Sequence, residues 1–137
     1  MKLTHEDLLS RGYKIVFEDH FDAAHVNENV WIKIDTNTEK GHKGRTIKRN
    51  PNNIYTRDSC LILKGSIEED ENGNKTYNCG RVQSKTFLYK YGYAEARAKI
   101  AVAGPGIWMG FWMCSDYNGS KLNSEIDVAE MFGDDTR

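Results

Sequence analysis

An all-β fold of antiparallel strands is predicted for this chain by three observations. Short alternating or apolar runs recur along its length, polar turns separate them, and only one segment carries a helix start. The runs are residues 14–21, 30–34, 54–57, 61–64, 76–85, 93–102, 107–114 and 125–132. The helix start is Thr4 as N-cap with Asp7 three residues on, which predicts one short helix over 4–10.

The segments between the runs have their own signatures. Residues 35–53 are polar, rich in Lys, Arg and Asn, and broken by Gly41, Gly44 and Pro51, so they are expected to form a long loop beside a cleft. Residues 69–74, Glu-Asp-Glu-Asn-Gly-Asn, read as a hairpin connector, and 115–120 as a loop leading to the last run. In 93–100 charged side chains alternate with small apolar ones, which predicts one wet face and one face against a second sheet. Glu95 and Arg97 are then a surface pair. In 107–114 the alternation puts Trp108, Gly110 and Trp112 on one face and Ile107, Met109, Phe111 and Met113 on the other. Two tryptophans flanking a glycine make an aromatic platform of the kind a sugar face packs against, the competing reading being core packing.

Composition bounds the function classes. The 137 residues with 39% hydrophobic content can bury a core of single-domain size. Lys and Arg total 19 against 20 Asp and Glu, and the formal charge of -1 supplies no footprint for nucleic acid or an anionic membrane. Neither is expected as a partner. Cys60, Cys79 and Cys114 contain no Cys-x-x-Cys spacing, so no metal site is expected, and their odd count reads as buried thiols, with one disulfide as the alternative. The four histidines are scattered and have no Ser or Cys partner at a hydrolase spacing. No apolar leader occupies the first residues and no stretch approaches a membrane span, so the sequence shows no export signal.

The most informative segment is Glu125-Ile126-Asp127-Val128-Ala129-Glu130. Strict alternation would send Glu130 to the side of Ile126 and Val128, where an unpaired carboxylate is costly. A β-bulge at Val128 and Ala129 resets the register. Glu125, Asp127 and Glu130 then share one face, and Ile126, Val128, Ala129 and Met131 share the other. With the bulge discounted, the outer glutamates lie about 13 Å apart between Cα atoms. Long side chains leaning inward on a curved strand close most of that gap. The arrangement favours the carboxyl separation of about 5 to 5.5 Å used by retaining glycosidases over the wider one of inverting enzymes. Three neighbouring carboxylates also favour retention of one proton among them for use as an acid. The competing readings are a solvated strand face and a calcium site.

These blocks, together with Tyr91-Gly92-Tyr93-Ala94-Glu95-Ala96-Arg97 and Gly106-Ile107-Trp108 through Phe111-Trp112-Met113, resemble the signature segments of glycoside hydrolase family 16. Phe17-Glu18-Asp19-His20-Phe21-Asp22, Asn53-Ile54-Tyr55 and Gly80-Arg81-Val82-Gln83-Ser84 resemble its earlier strands. The resemblance implies a concanavalin-like jelly-roll β-sandwich. It also implies Glu125 as nucleophile, Asp127 as assisting acid and Glu130 as general acid/base. Trp112, then Trp108, resemble the family's stacking tryptophans, and Asn53 and Arg81 resemble positions that reach the sugar. The competing structural roles are a turn-forming Asn and a solvated edge Arg.

Within the family the bulged spacing resembles laminarinases and the agar and carrageenan hydrolases. The expected activity is therefore a retaining endo-hydrolase of β-1,3 or mixed β-1,3/1,4 glucan. The alternatives are a galactan hydrolase acting on agar, porphyran or carrageenan, or a non-catalytic lectin-like module. No cofactor is required, and a structural calcium is compatible with the sequence without being specified by it. The resemblance further implies a polysaccharide substrate, an extracellular or cell-surface location and a monomer when complete. Because such sandwiches run to about 200 to 250 residues, residues 1–137 are expected to be the N-terminal part of one catalytic domain, inactive or nearly so alone.

Overall fold

The computed structural model describes residues 3–40, 44–85, 91–100, 107–114 and 124–133. Their regular structure is one short helix, one 3-10 turn and ten strands, and all strand pairs but one are antiparallel. The all-β expectation holds, consistent with a jelly-roll sandwich. The chain divides into two compact units, residues 1–87 and 88–137.

The first unit opens with α1 (His5–Ser10), and its start is set as the sequence predicts. The Asp7 N–H donates to Thr4 Oγ1 at 3.1 Å, and the Thr4 N–H donates to Asp7 Oδ2 at 2.8 Å, a reciprocal capping box. Strand β1 (Trp31–Lys33) follows, and then β2 (Glu39–Lys40), β3 (Thr46–Arg49), a 3-10 turn at Pro51–Asn53, β4 (Ile54–Arg57) and β5 (Cys60–Leu63). Strands β6 (Gly65–Glu69), β7 (Lys75–Cys79) and β8 (Val82–Ser84) complete the unit. Strands β4 and β5 form a hairpin whose two turn residues, Asp58 and Ser59, sit at φ 51° and 53°. Left-handed backbone at both central positions matches the right-handed twist of the flanking strands. The four-stranded sheet runs β2-β3-β7-β6, with β3 and β7 parallel.

The buried centre of this unit is small and partly polar. Val26 and Ile54 are its buried apolar residues, and Asn50, Asn53 and Asn78 are buried beside them. Asn50 Nδ2 donates to Asn78 Oδ1 at 3.1 Å, and Asn53 Nδ2 donates to Lys64 O at 3.1 Å and Ser66 Oγ at 3.0 Å. Asn53 thus serves a backbone carbonyl and a hydroxyl, and Asn50 the side-chain oxygen of Asn78, which offsets part of the cost of burying them; Asn78 Nδ2 is buried without a partner among the described residues. Phe17 and Phe21 pack on Trp31 at ring separations of 5.6 Å and 6.0 Å.

Several sequence expectations need correction. Residues 14–21 form no strand, because Asp19 turns the chain. Its Oδ1 accepts the Phe21 N–H at 2.8 Å, Phe21 adopts φ 56°, and its Oδ2 accepts Trp31 Nε1–H at 2.8 Å. Residues 93–100 also form no strand. No paired neighbour takes up their backbone groups among the described residues, and all but Ile100 are exposed. Glu95 there accepts a hydrogen bond from the Tyr93 hydroxyl at 2.9 Å, and no ion pair joins it to Arg97 among the described residues. The run 76–85 divides at Gly80 into β7 and β8, which serve different sheets.

The polar stretch 35–53 is not a loop throughout. It holds β2, β3 and the 3-10 turn, and β3 gains its order from parallel pairing with β7, Ile47 opposite Tyr77. A single large apolar residue in Thr46–Arg49 leaves too little periodicity for sequence alone to register it. The cysteines are free, but Cys60 and Cys79 are exposed and Cys114 half-buried, because each lies at a strand end. The predicted loop over 115–120 and residues 101–102 lie outside the described residues.

Candidate active site

The second unit contains β9 (Trp108–Cys114) and β10 (Glu125–Phe132), paired antiparallel. Large aromatic and apolar side chains at alternate positions suit a pleated strand and give β9 two distinct faces. The pairing runs Glu125 to Cys114, Ile126 to Met113 and Asp127 to Trp112, then Ala129 to Phe111, Glu130 to Gly110, Met131 to Met109 and Phe132 to Trp108. The register shifts between Asp127 and Ala129. Val128 is the extra residue, and the bulge falls where the carboxylate spacing requires it.

Cross-strand partners share a face, so the bulge has a definite consequence. Since Trp108, Gly110, Trp112 and Cys114 alternate along an unbroken β9, their partners Phe132, Glu130, Asp127 and Glu125 all lie on that same face. All three acids are therefore together. Ile126, Ala129 and Met131 oppose Met113, Phe111 and Met109 on the other face. Every residue of β10 is exposed.

Glu130 has the most defined surroundings of the three. It lies across from Gly110, which presents no side chain, and its Oε1 accepts the Trp108 indole N–H at 3.0 Å. The Trp108 ring packs on Phe132, its cross-strand partner, with centroids 5.0 Å apart and planes inclined at 41°. A Cβ placed on Gly110 would lie 3.5 Å from Trp112 Cδ1, so the second tryptophan reaches over the glycine from the other side. Among the described residues no basic side chain forms an ion pair with Glu125, Asp127 or Glu130. Among the same residues no group of three or more His, Cys, Asp or Glu side chains is gathered tightly enough to hold a metal ion.

Asn53 and Arg81 belong to the first unit and come together there through Gly80. A Cβ on Gly80 would fall 2.6 Å from Asn53 O, and the Gly80 N–H donates to Lys64 O at 3.0 Å. Asn53 is 7% exposed, with both hydrogens of its amide given to Lys64 and Ser66. Arg81 is half-buried, and its carbonyl accepts the Ile34 N–H at 2.9 Å. Two features of the acidic face escaped the sequence. Counting the alternation on past the bulge would have put Phe132 beside Glu130; the indole hydrogen bond from Trp108 carries no sequence signal.

A family model described as glycosyl hydrolases family 16 matches residues 41–137 of the chain. No curated protein and no solved structure matches it.

Proposed function

Because the chain belongs to glycosyl hydrolases family 16, we propose that it is a retaining endo-hydrolase of β-glucan with β-1,3 or mixed β-1,3/1,4 linkages. The observation that supports this reading is the bulge at Val128, which sets Glu125, Asp127 and Glu130 beside two tryptophans on one strand face. In the first displacement the Glu125 carboxylate attacks the anomeric carbon. Glu130 gives its proton to the departing glycosidic oxygen, leaving a glycosyl ester on Glu125. In the second, Glu130 takes a proton from water, the water oxygen attacks the same carbon, and the ester bond breaks to restore the Glu125 carboxylate. Asp127, one methylene shorter and between the two along the strand, orients Glu125. Trp112, directly across from Asp127, supplies the apolar surface on which a pyranose face stacks.

The test is the stereochemistry of the first product. Laminarin digested by the catalytic domain extended beyond residue 137 and followed by proton NMR is expected to release new reducing ends first in the β configuration, with mutarotation later. Initial α ends would overturn the assignment of Glu125 as nucleophile.

A further inference from the structure

We propose that Trp108 is a positioning residue for Glu130, holding Oε1 so that Oε2 is the oxygen that delivers and recovers the catalytic proton; this rests on the role of Glu130 proposed above. A platform tryptophan needs only an exposed ring, yet here the indole edge is committed. Its N–H donates to Glu130 Oε1 at 3.0 Å, and its ring packs on Phe132 at 5.0 Å. The two contacts fix different degrees of freedom. Phe132 sets the plane of the indole from across the strand pair, and the indole N–H then sets the rotation of the carboxyl group. Glu130 lies opposite Gly110, whose lack of a side chain leaves the space beside the acid open.

The hydrogen bond also has a chemical direction. An indole N–H can only donate, so the oxygen it contacts must present a lone pair in both halves of the reaction. When Glu130 is protonated, the proton is directed to Oε2; when it is ionised, Oε1 remains engaged and Oε2 is free to accept a proton from water. One fixed donor therefore serves a group that alternates between acid and base. It leaves the same oxygen facing the substrate each time.

The decisive variant is Trp108→Phe, which keeps a ring for Phe132 and removes the N–H. On laminarin kcat is expected to fall about tenfold with KM within about twofold. Aryl laminariosides with activated leaving groups, which need little protonation, should be cleaved at nearly the original rate. A second measurement does not depend on activity. In the ¹H–¹⁵N spectrum the Trp108 indole proton is expected to move upfield in Glu130→Ala. A raised KM with kcat unchanged would make Trp108 a sugar platform and overturn the proposal. Equal losses on both substrates, or an indole signal indifferent to Glu130→Ala, would overturn it too. A Glu130→Ala variant that stays fully active would instead refute the role of Glu130 itself, and the positioning proposal with it.

Discussion

The two units of this chain use the same pleated geometry toward opposite ends. In residues 1–87 the sheets close over Val26, Ile54 and three asparagines, and the Asn53 amide there meets the Lys64 carbonyl and the Ser66 hydroxyl. In residues 88–137 the strand pair β9–β10 exposes every residue of β10, and its ordered contacts are the ones that shape an acidic face. Burial and hydrogen bonding in the first unit oppose unfolding; register in the second arranges chemistry. Damage to the first should therefore appear as lost stability, and damage to the second as lost turnover.

The largest expected effect separates these most cleanly. Glu125→Gln should lower turnover on laminarin on the order of 10⁴-fold, because the amide is a poor nucleophile, while the thermal midpoint stays within a degree or two. A variant that melts much earlier would give β10 a structural weight that its exposure denies. Next is Trp112→Ala, which removes the ring opposite Asp127. It should weaken oligosaccharide binding by roughly 1–3 kcal/mol, read by titration calorimetry, without unfolding the chain. Outright unfolding would mean that the ring is core.

Gly80→Ala reverses the pattern. The new Cβ would meet Asn53 O at 2.6 Å and Ile54 Cγ1 at 3.1 Å, backbone and core that have little room to shift. A loss of about 1–3 kcal/mol in denaturant titration is expected, with an unchanged rate per folded molecule. An unaffected midpoint would show that the junction of β7 and β8 yields readily.

The smallest effect concerns the β6–β7 hairpin. The Asn74 side-chain amide, then its backbone N–H, hold the Asp70 carboxyl below the ordinary value of 3.8; desolvation opposes them, and the Asn72 N–H adds a lesser lowering. A lowered folded-state value stabilises the hairpin above the ordinary carboxylate range, and that contribution is lost as pH falls through the folded value. NMR titration of the Asp70 carboxyl carbon should give a midpoint below 3.8. A midpoint at or above it would mean that these bonds do not persist in solution.

How far the sequence reached differs between the two regions for a physical reason. The strands Ile54–Arg57 and Glu125–Phe132 and the capped helix were legible because local signals agree there: alternation, a Thr-Asp capping box, and an acid pattern that only a bulge reconciles. Strand β3 was not, since Thr46–Arg49 is ordered by a parallel partner thirty residues away rather than by its own periodicity. Residues 14–21 misled in the opposite sense. Their apolar run Ile15-Val16-Phe17 suits a strand, but one aspartate side chain outcompetes it by bonding Phe21 and Trp31 at once. At the acidic face the three carboxylates follow from parity. The tie from Trp108 to Glu130 depends on side-chain rotation, which parity does not encode.

The bulge at Val128 makes the acidic face a matter of counting. Removing that one residue would leave a regular strand in which Glu125, Asp127 and Glu130 still alternate onto one face, so the bulge is needed only because the extra residue is there. A single in-frame codon deletion would thus keep every member of the constellation on its face while removing the kink and added twist that the bulge gives the strand. Most exchanges at the same position would keep both. Length at this point governs the curvature of the acidic face rather than its membership.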